Sequence, residues 1–295
     1  MTAELTERAP AHASGVNRID HFVVEVNDLW RSYEFYRDIL GAEAYQVAGM
    51  DTERLRHRGN QIVFLRIAGH MGVGLALSNV AVPPVTRPFE HVTQGYEVSD
   101  AQLEQLERLL DSKGVDSYGP ETYADGFPFA RRLWFQDPDG HTIEVCVRPN
   151  EKREPDGNSP APGGPVVPAR ISHMGIEVRD VARTARWFED TLGFAPLAEH
   201  GSEVYLQVRG GDQMLVLRPA DSLSPRRDYV RGPHIDFEAP PAAYPALRAR
   251  IDSIEGYFED APHPFPNPRG ADADVTIYFC DPDGNRFQLS PAGGH

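Results

Sequence analysis

Cysteine is scarce: Cys146 and Cys280 are the only two in 295 residues. Two cysteines make no disulfide framework, so a reducing cytosol and a cytoplasmic protein are the expectation. Basic side chains are also in deficit. Lys and Arg number 29 against 44 Asp and Glu, for a net charge of −15. That balance argues against nucleic acid and against an anionic membrane surface as partners. No run approaches the roughly 18 apolar residues of a membrane-spanning helix. Residues 1–10 are polar and lack the apolar core of a signal peptide. With 40% apolar and 25% charged residues, the chain has a globular composition and the length of two ordinary domains. A homodimer stays open.

What the chain does contain is a repeat. Ile19-Asp20-His21-Phe22-Val23-Val24-Glu25-Val26-Asn27-Asp28 returns as Ile171-Ser172-His173-Met174-Gly175-Ile176-Glu177-Val178-Arg179-Asp180. His21 to His173 is 152 positions, as is Asp28 to Asp180. Weaker copies begin at His91 and His234. Each copy alternates like a half-buried strand, and the two strong ones end at an aspartate suited to cap a helix. After Asp28 the apolar residues Leu29, Trp30, Tyr33, Tyr36, Ile39 and Leu40 follow helical spacing, and Gly41 stops the pattern. A second helix is predicted from Ala101 to about Lys113, a third after Asp180, and a less regular one after His234, where Pro240, Pro241 and Pro245 crowd its start. Tight Asp-Pro-Asp-Gly turns at 137–140 and 281–284 each close a hairpin.

The reading is an α+β chain of four βαβββ modules: a flexible arm at 1–16, an N-terminal domain at 17–149, a Pro- and Gly-rich linker at 150–169 and a C-terminal domain at 170–291. Glu25, Glu97, Glu177 and Glu238 recur in all four modules, which points to the fold rather than to chemistry.

The four modules, the His-x3-Glu-Val strand starts, the aromatic helix ending in Leu-Gly and the Asp-Pro-Asp-Gly turns resemble the vicinal oxygen chelate superfamily. That family includes glyoxalase I, bleomycin-binding proteins, fosfomycin-modifying enzymes and type I extradiol dioxygenases. The resemblance implies two curved mixed sheets, each a cup made by two modules, with a divalent metal in a cup. Two such domains in one chain look most like the extradiol dioxygenases.

The family's ligand positions imply His21, His91 and Glu144 in the N-terminal domain, a set of the 2-His-1-carboxylate kind suited to Fe(II), with Mn(II) or Zn(II) as other ions. Counting back from Asp100 puts Thr93 rather than His91 in register with His21. In the C-terminal domain the same places give His173, His234 and Gln288, an alternative set without a carboxylate. Tyr278 matches the family's tyrosine before the final turn, and Trp134 holds its place in the first domain. The family's second histidine falls on Arg269, with His263 nearby but out of register. Thr93, Tyr123, Phe129, Arg131 and Trp134 are candidate substrate contacts. Cys146 shares strand parity with Glu144. The implied function is a metal-dependent enzyme acting on a small oxygen-chelating substrate, most like a ring-cleaving dioxygenase. The alternative is a metal-free protein that sequesters small molecules.

Overall fold

A computed structural model describes residues 15–48, 62–67, 70–78, 81–83, 92–149, 164–208, 213–223, 233–254, 259–262 and 275–292. Each predicted module is there. The first runs β1 (Arg18–Val26), α1 (Leu29–Leu40), β2 (Glu43–Ala48), β3 (Ile62–Ile67) and β4 (His70–Leu77). The second runs β5 (Thr93–Glu97), α2 (Asp100–Lys113), β6 (Ser117–Thr122), β7 (Arg131–Gln136) and β8 (Thr142–Val147). The third is β9 (Arg170–Val178), α3 (Val181–Leu192), β10 (Ala195–His200), β11 (Glu203–Val208) and β12 (Gln213–Pro219). The fourth is β13 (His234–Ala239), α4 (Tyr244–Asp252), β14 (Glu259–Pro262), β15 (Val275–Cys280) and β16 (Arg286–Pro291).

The helices end as the sequence dictates. The Asp28 side chain accepts from the amides of Trp30 and Arg31, and Gly41 closes α1 in the left-handed conformation at φ 63°. Asp180 caps α3 in the same way. Ser99 and Gln102 form a reciprocal capping box on α2. The proline-crowded α4 is the shortest helix and has no side-chain cap.

The modules pair differently from the sequence expectation. Two eight-stranded sheets form, in the orders β14-β15-β16-β13-β1-β4-β3-β2 and β10-β11-β12-β9-β5-β8-β7-β6. Module one therefore shares a sheet with module four, and module two with module three. Residues 17–149 and 170–291 are sequence repeats, but neither closes a cup by itself. The seams are antiparallel, β1 with β13 and β5 with β9, while β1–β4, β13–β16, β9–β12 and β5–β8 are parallel. All four module-opening strands carry nearly the same pattern, so local sequence does not say which opening strand finds which.

The helices do keep to their own halves. Asp139, in the first Asp-Pro-Asp-Gly turn, accepts from Asn27 Nδ2 at 2.8 Å and Ser32 Oγ at 2.9 Å, and Asp137 accepts from Tyr36 Oη at 3.2 Å. In the other half, Asp283 accepts from the Arg179 amide at 3.0 Å. His141 Nε2 and Asn285 Nδ2 meet the carbonyls of Glu25 and Glu177. The core lies between sheets and helices and takes Phe22, Val24 and Val26 from β1. Strand alternation then turns His21, Val23 and Glu25 to the concave face. The recurring glutamates of modules two and four tie the seams: Glu97 takes Arg170 at 2.7 Å, and Glu238 takes Arg18 at 2.9 Å.

Candidate metal centre

The sheet pairing redistributes the sequence-predicted ligands. His21 stands in the first sheet and Glu144 in the second, so they do not share a cup. His91 and His263 lie outside the described residues. The alternative set divides too: His234 and Gln288 join His21, and His173 joins Glu144. Ladder register fixes the correspondence. Val23 faces His234 where Gly175 faces Thr93, and His21 faces Asp236 where His173 faces Gly95. Asp236 adjoins Gln288 where Gly95 adjoins Glu144. The first cup thus presents His21, His234 and Gln288, and the second His173, Thr93 and Glu144. Thr93, rather than a histidine, holds the register position, as counting from Asp100 implies.

In the first cup, the β1–β13 register shifts between Ile19 and His21, so Asp20 is the extra residue of a bulge. The bulge brings Asp20 beside its neighbour's ring: His21 Nδ1 lies 3.1 Å from Asp20 Oδ2 and 3.4 Å from Asp236 Oδ2. Asp20, His21 and Asp236 are all buried, with ligand atoms mutually within 4.8 Å. The His234 ring stands 5.8 Å from that of His21 and 5.3 Å from Tyr278, edge-on to both. Gln288 Nε2 donates to Ser290 Oγ at 2.8 Å, which donates to Asp236 Oδ1 at 3.0 Å. Arg18 reaches Asp20 Oδ1 at 2.8 Å from a half-exposed position. Val23 and Phe64 form an apolar wall, with Tyr45, Ile62 and Ala76 packed against them. Gln213 of β12 crosses from the other sheet to bond both the amide and the carbonyl of Ile19. Imidazoles and buried carboxylates converging in one place are a donor set that fits a divalent cation.

The second cup supplies its own cations. Arg218 Nη2 lies 2.5 Å from Glu144 Oε1, its Nη1 donates to Thr93 Oγ1 at 2.5 Å, and its Nε meets Glu203 Oε1 at 2.6 Å. Arg132 Nη1 reaches Glu144 Oε2 at 3.3 Å, Glu203 Oε2 at 3.4 Å and Tyr205 Oη at 3.3 Å. Thr93 Oγ1 donates a hydrogen bond to Glu144 Oε1 at 3.0 Å. His173 Nε2 is 3.4 Å from Glu144. Burial alone would raise the Glu144 carboxyl, but Arg218, His173 and Arg132 hold it well below the usual carboxylate range. Burial depresses His173 against the pull of Glu144, so its ring is neutral. Arg132 and Arg218 stand against Glu144, Glu203 and the half-exposed Glu121, so Glu144 already has two cationic partners, and Arg218 stands among the would-be ligands. This set does not fit a metal.

The remaining candidates fall mostly around the second cup. Tyr123 and Phe129 line its wall with Tyr205, Met214 and Val216. Trp134 lies under the Arg132 guanidinium at 5.5 Å and stacks on Tyr118. Arg131 is a correction: it points outward to Asp100 at 3.0 Å, and its neighbour Arg132 enters the cup. Cys146 faces that cup beside Ser172 Oγ, and burial pushes its thiol up to about 12, so it is inert. Tyr278 belongs to the first cup. Sequence reasoning missed Asp20, Asp236, Glu203 and Arg218. The His234-x-Asp236 spacing, which puts both side chains on one strand face, was a usable signal. Arg218 had none, because nothing local marks which strand residue will meet Glu144.

Known proteins agree with this architecture. Residues 18–145 and 170–289 match the family model of the Glyoxalase/Bleomycin resistance protein/Dioxygenase superfamily. Metapyrocatechase 2 of Cupriavidus necator is 28% identical over a 200-residue alignment that covers 62% of this chain and 54% of that protein. A presumed dioxygenase of Bacillus subtilis subsp. subtilis str. 168 superposes with a TM-score of 0.69 at 18% identity, covering 95% of this chain and 87% of that one. Glyoxalase I of Zea mays superposes at 0.59 and 20% identity, covering 94% and 93%. At such identities these structures speak for the fold alone. Matched across both repeats, the chain belongs to the glyoxalase/bleomycin resistance/dioxygenase superfamily.

Proposed function

We propose that this protein is a metal-dependent enzyme acting on a small oxygen-chelating substrate, with the first cup as its working site. The observation that carries the reading is the cluster of His21 with the buried carboxylates Asp20 and Asp236, and the His234 ring 5.8 Å from that of His21 across the β1–β13 seam. Fe(II) is the leading ion and an extradiol-type ring cleavage the leading reaction, in keeping with the partial likeness to metapyrocatechase. Mn(II) and Zn(II) are the other ions such a donor set takes. The chemistry an ion supplies when bound there is Lewis acidity toward adjacent oxygens of the substrate.

The chain's own residues do the rest. Asp20 and Asp236 would offer carboxylate oxygens to a cation beside His21. Val23 and Phe64 offer an apolar wall against which a flat ring can lie. Along β4, Gly74 and Ala76 face the cup beside Val23, Ile62 and Phe64, and project no more than a methyl group between them. Tyr278, 6% exposed and edge-on to His234, is placed to donate its hydroxyl to a substrate oxygen.

Protein reconstituted anaerobically with Fe(II) and then given catechol and air tests this. Oxygen uptake equimolar with catechol, abolished by His234→Ala, is the expected result. Absence of oxygen uptake across a panel of catechols, together with no conversion of 1,2-dicarbonyls, would remove the enzyme reading. Gln288, an amide where the other cup has Glu144, favours the second reading, a metal-free binding protein. Tight ligand binding in the presence of a chelator would support it.

A further inference from the structure

We propose that the anionic ligand of the first cup is Asp236, with Asp20 beside it, and that it replaces the carboxylate Gln288 lacks. This rests on the first cup being the metal site. The two cups carry their carboxylates in register-neighbouring but different places. The second cup has Glu144 on its last strand and Gly95 across the parallel ladder from it. The first has Gln288 on its last strand and Asp236 across the same ladder. The carboxylate has moved one strand over, toward the seam.

The move is tied to room at the seam. A Cβ at Gly95 would fall on the imidazole of His173, so the second cup tolerates no side chain there. In the first cup the same position carries a full aspartate, whose Oδ2 lies 3.4 Å from His21 Nδ1. At the bulge the second cup has Ser172, which bonds His173 Nδ1 at 2.8 Å, and the first has Asp20 at 3.1 Å from His21 Nδ1. Ligands about 2.1 Å from a common ion lie about 3.0–3.4 Å apart in octahedral or tetrahedral arrangements. The separations of 3.1 and 3.4 Å around His21 Nδ1 fall on those edges. Ser290 holds the far oxygen of Asp236, and Arg18 the far oxygen of Asp20, which orients each carboxylate as an outer shell does. Gln288 reaches Asp236 through Ser290, so it positions the ligand rather than serving as one.

Binding of Mn(II) to the full chain, followed by calorimetry and by the loss of the free-ion paramagnetic resonance signal, tests this. Wild type should bind one ion. Asp236→Asn should weaken binding about 100-fold or more, and Gln288→Ala less than about 10-fold. The double variant D236N/Q288E, which returns the carboxylate to the last strand, should regain most of the affinity. If Asp236→Asn does not fold, the Gln288→Ala and wild-type titrations still decide: a 100-fold loss in Gln288→Ala makes Gln288 the ligand and overturns the proposal. Unchanged binding in a folded Asp236→Asn overturns it too, while leaving the first cup as the metal site. A wild type that takes up no Mn(II) overturns both, and identifies the His21 contacts with Asp20 and Asp236 as hydrogen bonds alone.

Discussion

The two cups are built on one repeated backbone and solve the same electrostatic problem in opposite ways. On the strand parallel to the seam, the first cup has Gly74 and Ala76, and the second has Val216 and Arg218. On the next strand, Ile62 and Phe64 correspond to Glu203 and Tyr205. The second cup fills itself and sets two buried guanidinium groups against Glu144, Glu203 and the half-exposed Glu121. The first keeps small residues on that strand and gathers imidazoles with carboxylates. A buried charge must find a partner. One cup meets that need with Arg132 and Arg218 inside it; in the other, His21 stands against Asp20 and Asp236, and Arg18 reaches Asp20 from a half-exposed position.

The contrast can be broken most forcefully at Glu144. Glu144→Gln leaves Arg218 and Arg132 buried without the carboxylate they share, and should cost about 3–5 kcal/mol of stability while leaving Mn(II) binding intact. Denaturant unfolding and a metal titration read the two effects separately. Acid should act through the same group. Because the folded-state pKa of Glu144 is lowered, its stabilisation is fully present above the ordinary carboxylate value of 4.5 and is lost as pH falls below it toward the folded value. His173, also depressed, works in the same direction: below its ordinary value of 6.5 the unfolded chain binds the proton more readily, so stability falls with pH. Melting curves should therefore drop from about pH 6.5 downward, and Glu144→Gln should flatten the part below about pH 4.5.

The seam offers a smaller effect. Gly95→Ala drives a methyl group into the His173 ring and should cost about 1–3 kcal/mol, measured by chemical denaturation. Effects of equal or smaller size concern the turns. Asp139 accepts from both Asn27 and Ser32, so Asp139→Ala should cost about 1–3 kcal/mol. Asp283 has the Arg179 amide and a longer 3.4 Å contact to Thr184, and Asp283→Ala should cost about 0.5–1.5 kcal/mol. A reversed order in thermal melts would show that the two halves are clasped differently from this account.

Much of the fold was legible because it repeats: helix caps, left-handed glycines and hairpin turns are local chemistry, and they recur at fixed spacing. The strands β6, β10 and β14 gave no signal. They are sheet edges, β6 and β10 largely exposed, and all three contain proline, so no apolar alternation marks them. The pairing of modules was illegible for a different reason. Seam strands β1, β5, β9 and β13 look alike, and which of them meet is decided by long-range packing. That one ambiguity separated His21 from Glu144 and joined it to His234. Within each cup, the chemistry follows from parity once the partner strand is known, as Asp236 beside His234 illustrates.

The central claim is that the ion belongs to the cup shared by modules one and four. Crystals grown with Mn(II) and measured near the manganese absorption edge would test it most directly. The account predicts one anomalous peak between β1 and β13, within about 2.0–2.3 Å of a His21 nitrogen and an Asp236 oxygen. A peak beside Glu144 and His173, with the Arg218 side chain swung away, would contradict it.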